Sequence, residues 1–166
     1  NDLPDDIRNF VIDSKDRIFF LTGHGQLLHY QLTVRNSCPE LSFKEEIRHC
    51  APVSNIYLSQ DCLIINDDRT LTVSQDNRIL DSINIPENKT VSQAICHGEY
   101  LLISFIEGGC IRYNLENGTS TELLQLPEKA SIFTIYIGSQ NILWVGTDGQ
   151  GILEVYEHSS PFHTVK

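Results

Sequence analysis

Methionine is missing from the 166 residues, and alanine occurs only three times. A chain without methionine is expected to be part of a longer polypeptide, with any signal, anchor or effector domain outside these residues. Nineteen Ile, 18 Leu and 10 Thr against three Ala favour strands and starve helices, so an all-β chain is expected. Basic residues are scarce too: 12 Lys and Arg stand against 22 Asp and Glu. A formal charge of −10 leaves no polybasic surface to neutralise phosphates, which argues against nucleic acid and against direct membrane contact. No apolar run approaches the ~18 residues of a membrane span. The first residues, Asn1-Asp2-Leu3-Pro4-Asp5-Asp6, are acidic where a signal peptide is basic and then apolar. The five cysteines (Cys38, Cys50, Cys62, Cys96, Cys110) have no CxxC spacing, and an odd number cannot pair within one chain. Several of them sit inside apolar strand-like runs and read as small buried hydrophobes, and neither a metal nor a cofactor is expected.

What is present is a repeat. Ile142-Leu143-Trp144-Val145-Gly146-Thr147 leads through Asp148-Gly149-Gln150-Gly151 into Ile152-Leu153-Glu154-Val155-Tyr156, an apolar run, a hairpin turn and an alternating run. Weaker copies run from Ile18 to Tyr30, from Cys62 to Val73 and from Tyr100 to Tyr113. The closing residues Tyr30, Val73, Tyr113 and Tyr156 are spaced by 43, 40 and 43. A second marker gives the same period: Leu3-Pro4-Asp5, Ile85-Pro86-Glu87 and Leu126-Pro127-Glu128 lie 82 and then 41 apart, with no copy in the second unit.

Each period divides into four short strands. Inner strands are expected at Phe10 to Ile12, Ile56 to Leu58, Ala94 to Cys96 and Thr134 to Ile137. Outer strands are expected near Leu41 to Glu46, Ile79 to Ile85, Glu122 to Leu126 and Phe162 to Val165. Four antiparallel strands in roughly 40 to 45 residues mark a propeller blade. The expectation is a single β-propeller fragment of about four blades, at residues 5–47, 48–86, 87–127 and 128–166. A β-sandwich, the competing architecture, does not repeat its strands in groups of four.

The run from Leu143 to Ile152, followed by Tyr156 and Pro161-Phe162, resembles the two-component regulator propeller repeat of periplasmic sensor regions in hybrid two-component systems of gut Bacteroidetes. Only the fourth unit is a close match. Elsewhere Trp144 is replaced by Phe20, Ile64 and Leu102, and the Gly-Thr pair by Thr22-Gly23, Ile65-Asn66 and Ser104-Phe105. The resemblance implies a seven-bladed ring in the parent chain, which continues into a membrane span and a histidine kinase. It also implies a periplasmic location and a role in sensing carbohydrate fragments. Four blades of such a ring form an open fan with unpaired edges, so the remaining blades of the parent chain or a second copy are expected there.

In a propeller the second-to-third turns and the inter-blade loops emerge on one face. The turns bring His24, Asp67, Asp68, Arg69, Glu107 and Asp148 there; the loops bring Asp5, Asp6, His49, Glu87, Asn88, Glu128 and Lys129. Carboxylates and amides suit the hydroxyls of an oligosaccharide, while tight turns need the same residue types whatever the function. Trp144 and the recurring tyrosines read as packing between blades, with sugar stacking as the other use of a ring. The six histidines show no metal-ligand spacing, and no Gly-x-Ser-x-Gly elbow is present. No catalytic residue is assigned. Asn88-Lys89-Thr90 and Asn117-Gly118-Thr119 fit a glycan acceptor pattern, the latter also a tight turn. Two alternatives to the non-enzymatic sensor stay open: a polysaccharide lyase or glycosidase using turn carboxylates, and a propeller that binds a basic protein partner.

Overall fold

The computed structural model describes residues 3–51, 54–127 and 130–156. Three central strands, β2 (Arg17–Thr22), β6 (Cys62–Asp67) and β10 (Tyr100–Phe105), are buried along most of their length and carry apolar residues on both faces. Around β2 the first sheet adds β1 (Ile7–Ile12), β3 (Gln26–Arg35) and β4 (Cys38–His49), in sequential order. The second sheet orders β5 (Asn55–Ser59), β6, β7 (Thr70–Gln75) and β8 (Arg78–Asn84). The third orders β9 (Val91–His97), β10, β11 (Gly109–Asn114) and β12 (Ser120–Gln125). The fourth contains β13 (Ile132–Ile137), a 3-10 turn at Ser139–Asn141, β14 (Leu143–Thr147) and β15 (Ile152–Val155). Every pairing is antiparallel between consecutive strands, the arrangement of propeller blades. The outer strand expected near Phe162 to Val165 lies outside the described residues.

Three of the tight hairpins have both central residues at positive φ, the geometry that matches strand twist. They are Asn36-Ser37, Gln60-Asp61 and Asp76-Asn77, and the flanking pairs Arg35↔Cys38, Ser59↔Cys62 and Gln75↔Arg78 close them. Glycine is required at two other turns. A Cβ on Gly25 (φ +89) would stand 2.2 Å from the Cys50 carbonyl oxygen, and one on Gly108 (φ +87) 2.5 Å from that of Ala130. Each glycine carbonyl in turn accepts the N–H of the chain leaving its own sheet, Cys50 at 2.6 Å and Leu126 at 2.8 Å. These two hooks end the first and third sheets alike.

The chain divides into two compact units, Asn1–Asn84 and Ile85–Lys166, each with two sheets. In the first unit Phe19, Leu21 and Leu27 pack with Cys50 on Ile56, Leu63 and Ile65 of the second sheet. The opposite face of the first sheet carries Ile18, Phe20, Leu28 and Tyr30. There a row of rings crosses all four strands: Phe10 to Phe20 at 6.0 Å, Phe20 to Tyr30 at 5.3 Å and Tyr30 to Phe43 at 5.4 Å. In the second unit Leu102, Cys110 and Leu126 pack on Ile132, Ile135, Leu143 and Val145. Burying each such aliphatic side chain contributes about 1.5–3 kcal/mol. Cys50, Cys62, Cys96 and Cys110 are buried and Cys38 is exposed. Burial pushes the Cys110 thiol up to about 12, so it stays neutral.

The repeat markers need one adjustment. Tyr30 pairs with Ile18 and Tyr113 with Leu101, the same slot in the first and third sheets. In the second sheet that slot is Ser74, opposite Leu63, and Val73 lies one residue out of step, opposite Ile64. In the fourth it is Val155, opposite Leu143, while Tyr156 bonds Glu154 on the other face. Trp144 shares that other face, turned away from the third sheet, with Tyr136 beside it in register. Its ring therefore does not pack between the third and fourth sheets.

Candidate functional site

The second-to-third turns and the loops leading into each sheet do meet, through a backbone N–H to carbonyl bond in three sheets and through the Asp67 carboxylate in the second. In the first sheet the Gly23 N–H donates to the Asp6 carbonyl at 2.8 Å, and the His24 N–H to the Asp6 carboxylate at 3.2 Å. In the second, Asp67 accepts from the Ala51 N–H at 2.7 Å, the Ser54 hydroxyl at 2.8 Å and the Arg48 guanidinium. In the third, the Ile106 N–H donates to the Thr90 carbonyl at 2.9 Å, and Glu107 accepts the Thr90 N–H at 2.8 Å. In the fourth, the Asp148 N–H donates to the Ser131 carbonyl at 2.9 Å.

These contacts divide the candidate residues by what their side chains are doing. Burial opposes ionisation of Asp67, but the N–H of Ala51, the hydroxyl of Ser54 and the guanidinium of Arg48 overcome it and hold the carboxyl below its ordinary value. Glu107 behaves alike: burial raises it, and the bonds from Thr90 and the nearby Lys89 charge outweigh that. Both carboxylates tie a turn to a loop. His24 is different, with 86% of its side chain exposed and Asp6 3.7 Å away. Asp68, Arg69 and Asp148 are also exposed. Asp5, His49, Glu87 and Asn88 sit near these ends of the strands, whereas Glu128 and Lys129 lie outside the described residues. Asn117 accepts from both the N–H and the hydroxyl of Thr119, and Gly118 has φ +71, so the second acceptor pattern folds as a tight turn.

Two residues escaped the reading of the sequence. Asn9 on β1 donates to the Ile56 carbonyl at 3.0 Å and to Asn55 at 2.6 Å, fastening the inner strand of the first sheet to that of the second. Gln93 on β9 does the same in the second unit, accepting from the Ile135 N–H and the Thr134 hydroxyl, both at 2.8 Å. The available signal was an amide at the third position of an inner strand, in β1 and again in β9.

Each unit also holds a cavity. In the first, a groove of about 470 Å³ separates Glu45 and Ile47 of β4 from Leu63, Ile65 and Thr72 of the second sheet. The second unit holds a smaller one at the β9–β10 end of its strands. Among the described residues no group of three metal-ligating side chains gathers.

Residues 125–149 match the two component regulator propeller family. The matched segment is the loop leading into the fourth sheet together with β13 and β14, the part of the chain whose sequence carries the resemblance best. No curated protein matches the chain. Solved structures do. A virginiamycin B lyase from Staphylococcus aureus, in complex with quinupristin, superposes with TM-score 0.67 at 15% identity, covering 97% of this chain and 55% of that one. Raptor from Chaetomium thermophilum gives 0.68 at 11%, covering 95% and 16%. YCF48 bound to a D1 peptide gives 0.64 at 11%, covering 98% and 53%. The chain thus spans about half the length of two of these proteins and a smaller share of the third. An enzyme, a Raptor and a peptide-bound protein share the backbone, so the likeness shows the fold, an all-β propeller fragment, and leaves function to the site.

Proposed function

We propose that this chain is an extracytoplasmic ligand-sensing region of a hybrid two-component signalling protein, responding to carbohydrate fragments and performing no catalysis itself. The match of residues 125–149 to the two component regulator propeller family carries the reading. Chemistry at the turn ends agrees with it. In the first unit the side chains of His24, Asp68 and Arg69 stay exposed there, and in the second that of Asp148 does. Asp67 holds the turn of Asp68 and Arg69 in place, which keeps their exposed side chains preorganised for sugar hydroxyls.

The open sheet faces supply the partner side of the proposal. Phe10 is 55% and Phe43 48% exposed on the first sheet, and Tyr136 66% and Ile152 73% on the fourth. Further sheets of a parent ring, or a second copy, cover these faces. A ligand then acts by binding one packing of the sheets better than another.

The test is a glycan array probed with the 166-residue chain and with a His24→Ala, Asp68→Ala, Arg69→Ala triple variant. Binding to an oligosaccharide class that the variant loses, with unfolding temperature unchanged, supports the reading. Turnover of a glycan by the chain, or glycan binding that the triple variant retains in full, overturns it.

A further inference from the structure

In the first unit the two sheets pack along their inner strands, where Phe19, Leu21 and Leu27 meet Ile56, Leu63 and Ile65. Toward the outer strands they part, and the groove of about 470 Å³ opens between β4 on one side and β6, β7 and β8 on the other. Sheet twist makes outer strands diverge in this way. The volume is that of an ordinary small-molecule pocket. Leu63 and Ile65 form a buried aliphatic floor and the exposed Ile79 continues it, while Glu45 and Arg48 stand on the facing wall.

Of the two charged side chains on that wall only one is matched. The Arg48 guanidinium is taken by Asp67. Among the described residues no lysine or arginine reaches Glu45, whose carboxylate has the Nδ1 of His29 3.5 Å away, and an imidazole is charged only when protonated. His29 stands opposite Glu45 in register, its ring stacked on Phe19. The side chain is only 11% exposed, and neither ring nitrogen has a hydrogen-bond partner. Buried polar atoms are nearly always bonded, so this orphaned imidazole asks for an explanation. Glu45 is exposed and unanchored on the groove side; a cation seated there holds the carboxylate against His29 and gives the ring its acceptor.

We propose that this groove binds a primary ammonium carried on an aliphatic chain, the ammonium on Glu45 and the chain against Leu63, Ile65 and Ile79. An ammonium has three donors and no acceptor, which suits a carboxylate that only accepts. The formal charge of −10 works in the same direction, because the field of an acidic protein draws cations in and turns anions away. An anionic ligand would meet Glu45 and a guanidinium already held by Asp67. The ammonium can belong to a free alkylamine or to a lysine side chain of another protein, and the chemistry of the site is the same for both. This site is independent of the sugar-sensing proposal, and either stands without the other.

The experiment is a nitrogen-15 NMR titration of the 166-residue chain with hexylamine, with hexanol, which keeps the chain and loses the charge, and with methylamine, which keeps the charge and loses the chain. At about pH 8 an ordinary imidazole is neutral and an alkylamine is charged. Hexylamine is expected to give saturable shifts at Glu45 to Arg48, Leu63 to Ile65 and Ser74. Hexanol is expected to bind about threefold to fivefold more weakly, the effect of one exposed ion pair, and methylamine at least about tenfold more weakly. Glu45→Gln brings hexylamine down to the level of hexanol. Glu46→Gln makes the same change of charge on the other face of β4, where Glu46 pairs with Leu28, and leaves hexylamine unaffected. Ser74→Tyr fills the groove and abolishes binding; if it disrupts the sheet, Ile79→Ala, which removes the exposed part of the floor, weakens hexylamine about threefold instead. Nα-acetyl-lysine methylamide presents the same ammonium from a peptide: tighter binding than hexylamine assigns the site to a lysine of another protein, weaker binding to a free amine. No saturable shift at these residues, equal binding of hexylamine and hexanol, or full binding by Glu45→Gln overturns the proposal.

Discussion

The β1–β2 turn of the first sheet and the β9–β10 turn of the third hold equivalent positions in their units and are closed by different side chains. In the first, Asp13 is buried and its carboxylate accepts the Lys15 and Arg17 N–H groups, both at 2.9 Å, as well as the Arg17 side chain. Arg17 lies over Phe19, and His29 stacks on the same ring at 5.2 Å, with Glu45 3.5 Å from its Nδ1. Asp61 accepts the Ser14 N–H at 2.9 Å and Asp76 binds Lys15, so carboxylates of the second sheet seal the gap. In the third sheet Gly98-Glu99 makes a shorter turn, and His97, Tyr100 and Arg112 border a cavity. Sheets of the same strand order therefore close an inter-sheet gap with ion pairs in one unit and border a cavity in the other. The ionic closure costs desolvation that the aliphatic wall of the second unit avoids.

The largest effect that can break this comparison is at Asp13. Asp13→Ala leaves two backbone N–H groups and the Arg17 charge without their buried acceptor, and is expected to cost about 3 kcal/mol in urea unfolding. His97→Ala, at the matching slot, is expected to cost about 0.5 kcal/mol or less. Equal costs would mean that the two turns carry the same load.

Next come the two glycine hooks, where the units are alike. Gly25→Ala and Gly108→Ala each force a side chain at positive φ against a carbonyl oxygen, and each is expected to lower stability by about 2–3 kcal/mol. A clear difference between them in thermal unfolding would show that only one hook is under tension.

The inner-strand amides come third. Gln93→Ala loses bonds to Thr134 and Ile135 and is expected to cost about 1–2 kcal/mol, and Asn9→Ala about the same. Gln93→Glu keeps an acceptor and is expected to recover most of the loss, while Asn9→Asp loses the donor that Ile56 requires and recovers none. Unfolding midpoints of the four variants decide it.

The smallest effect is one of pH. The carboxyl of Asp67 is held below 3.8, its ordinary value, and that of Glu107 below 4.5. The folded state thus binds these protons less readily than the unfolded chain. Their contribution is complete above the ordinary values and is lost as pH falls through the lower folded ones. Asp67→Asn is expected to flatten the acid limb of a plot of stability against pH below 3.8, the ordinary value of the group. An unchanged slope would show that the bonds to Ala51, Ser54 and Arg48 do not bias ionisation.

Strand identity was readable because central strands such as Cys62-Leu63-Ile64-Ile65 are buried on both faces and must be apolar throughout. Register was harder. The β2–β3 connection turns at Gly23 to Gly25, whereas β6 and β7 close at Asp67↔Thr70 around two residues, so matching the ends by spacing placed Val73 where Ser74 belongs. The acidic turn residues were found, but not what they bind: Asp67 reads as a sugar acceptor until the Ala51 N–H is seen 2.7 Å away. Asn9 and Gln93 were passed over since a single amide in a strand carries no periodic signal. The His97, Tyr100 and Arg112 grouping joins three strands of one sheet, β9, β10 and β11, and has no linear motif.

From the order of its residues alone this chain determined its repeat, its strands and the turns that separate them, because apolar alternation and positive-φ residues act over a few positions. Tertiary structure decided which polar groups are spent on holding loops, which sheet face lies open and which gap between sheets is sealed by ion pairs. Those outcomes depend on side chains 41 to 61 positions apart meeting across two packed sheets, as Lys15 and Asp76 do, and local preference does not specify such meetings.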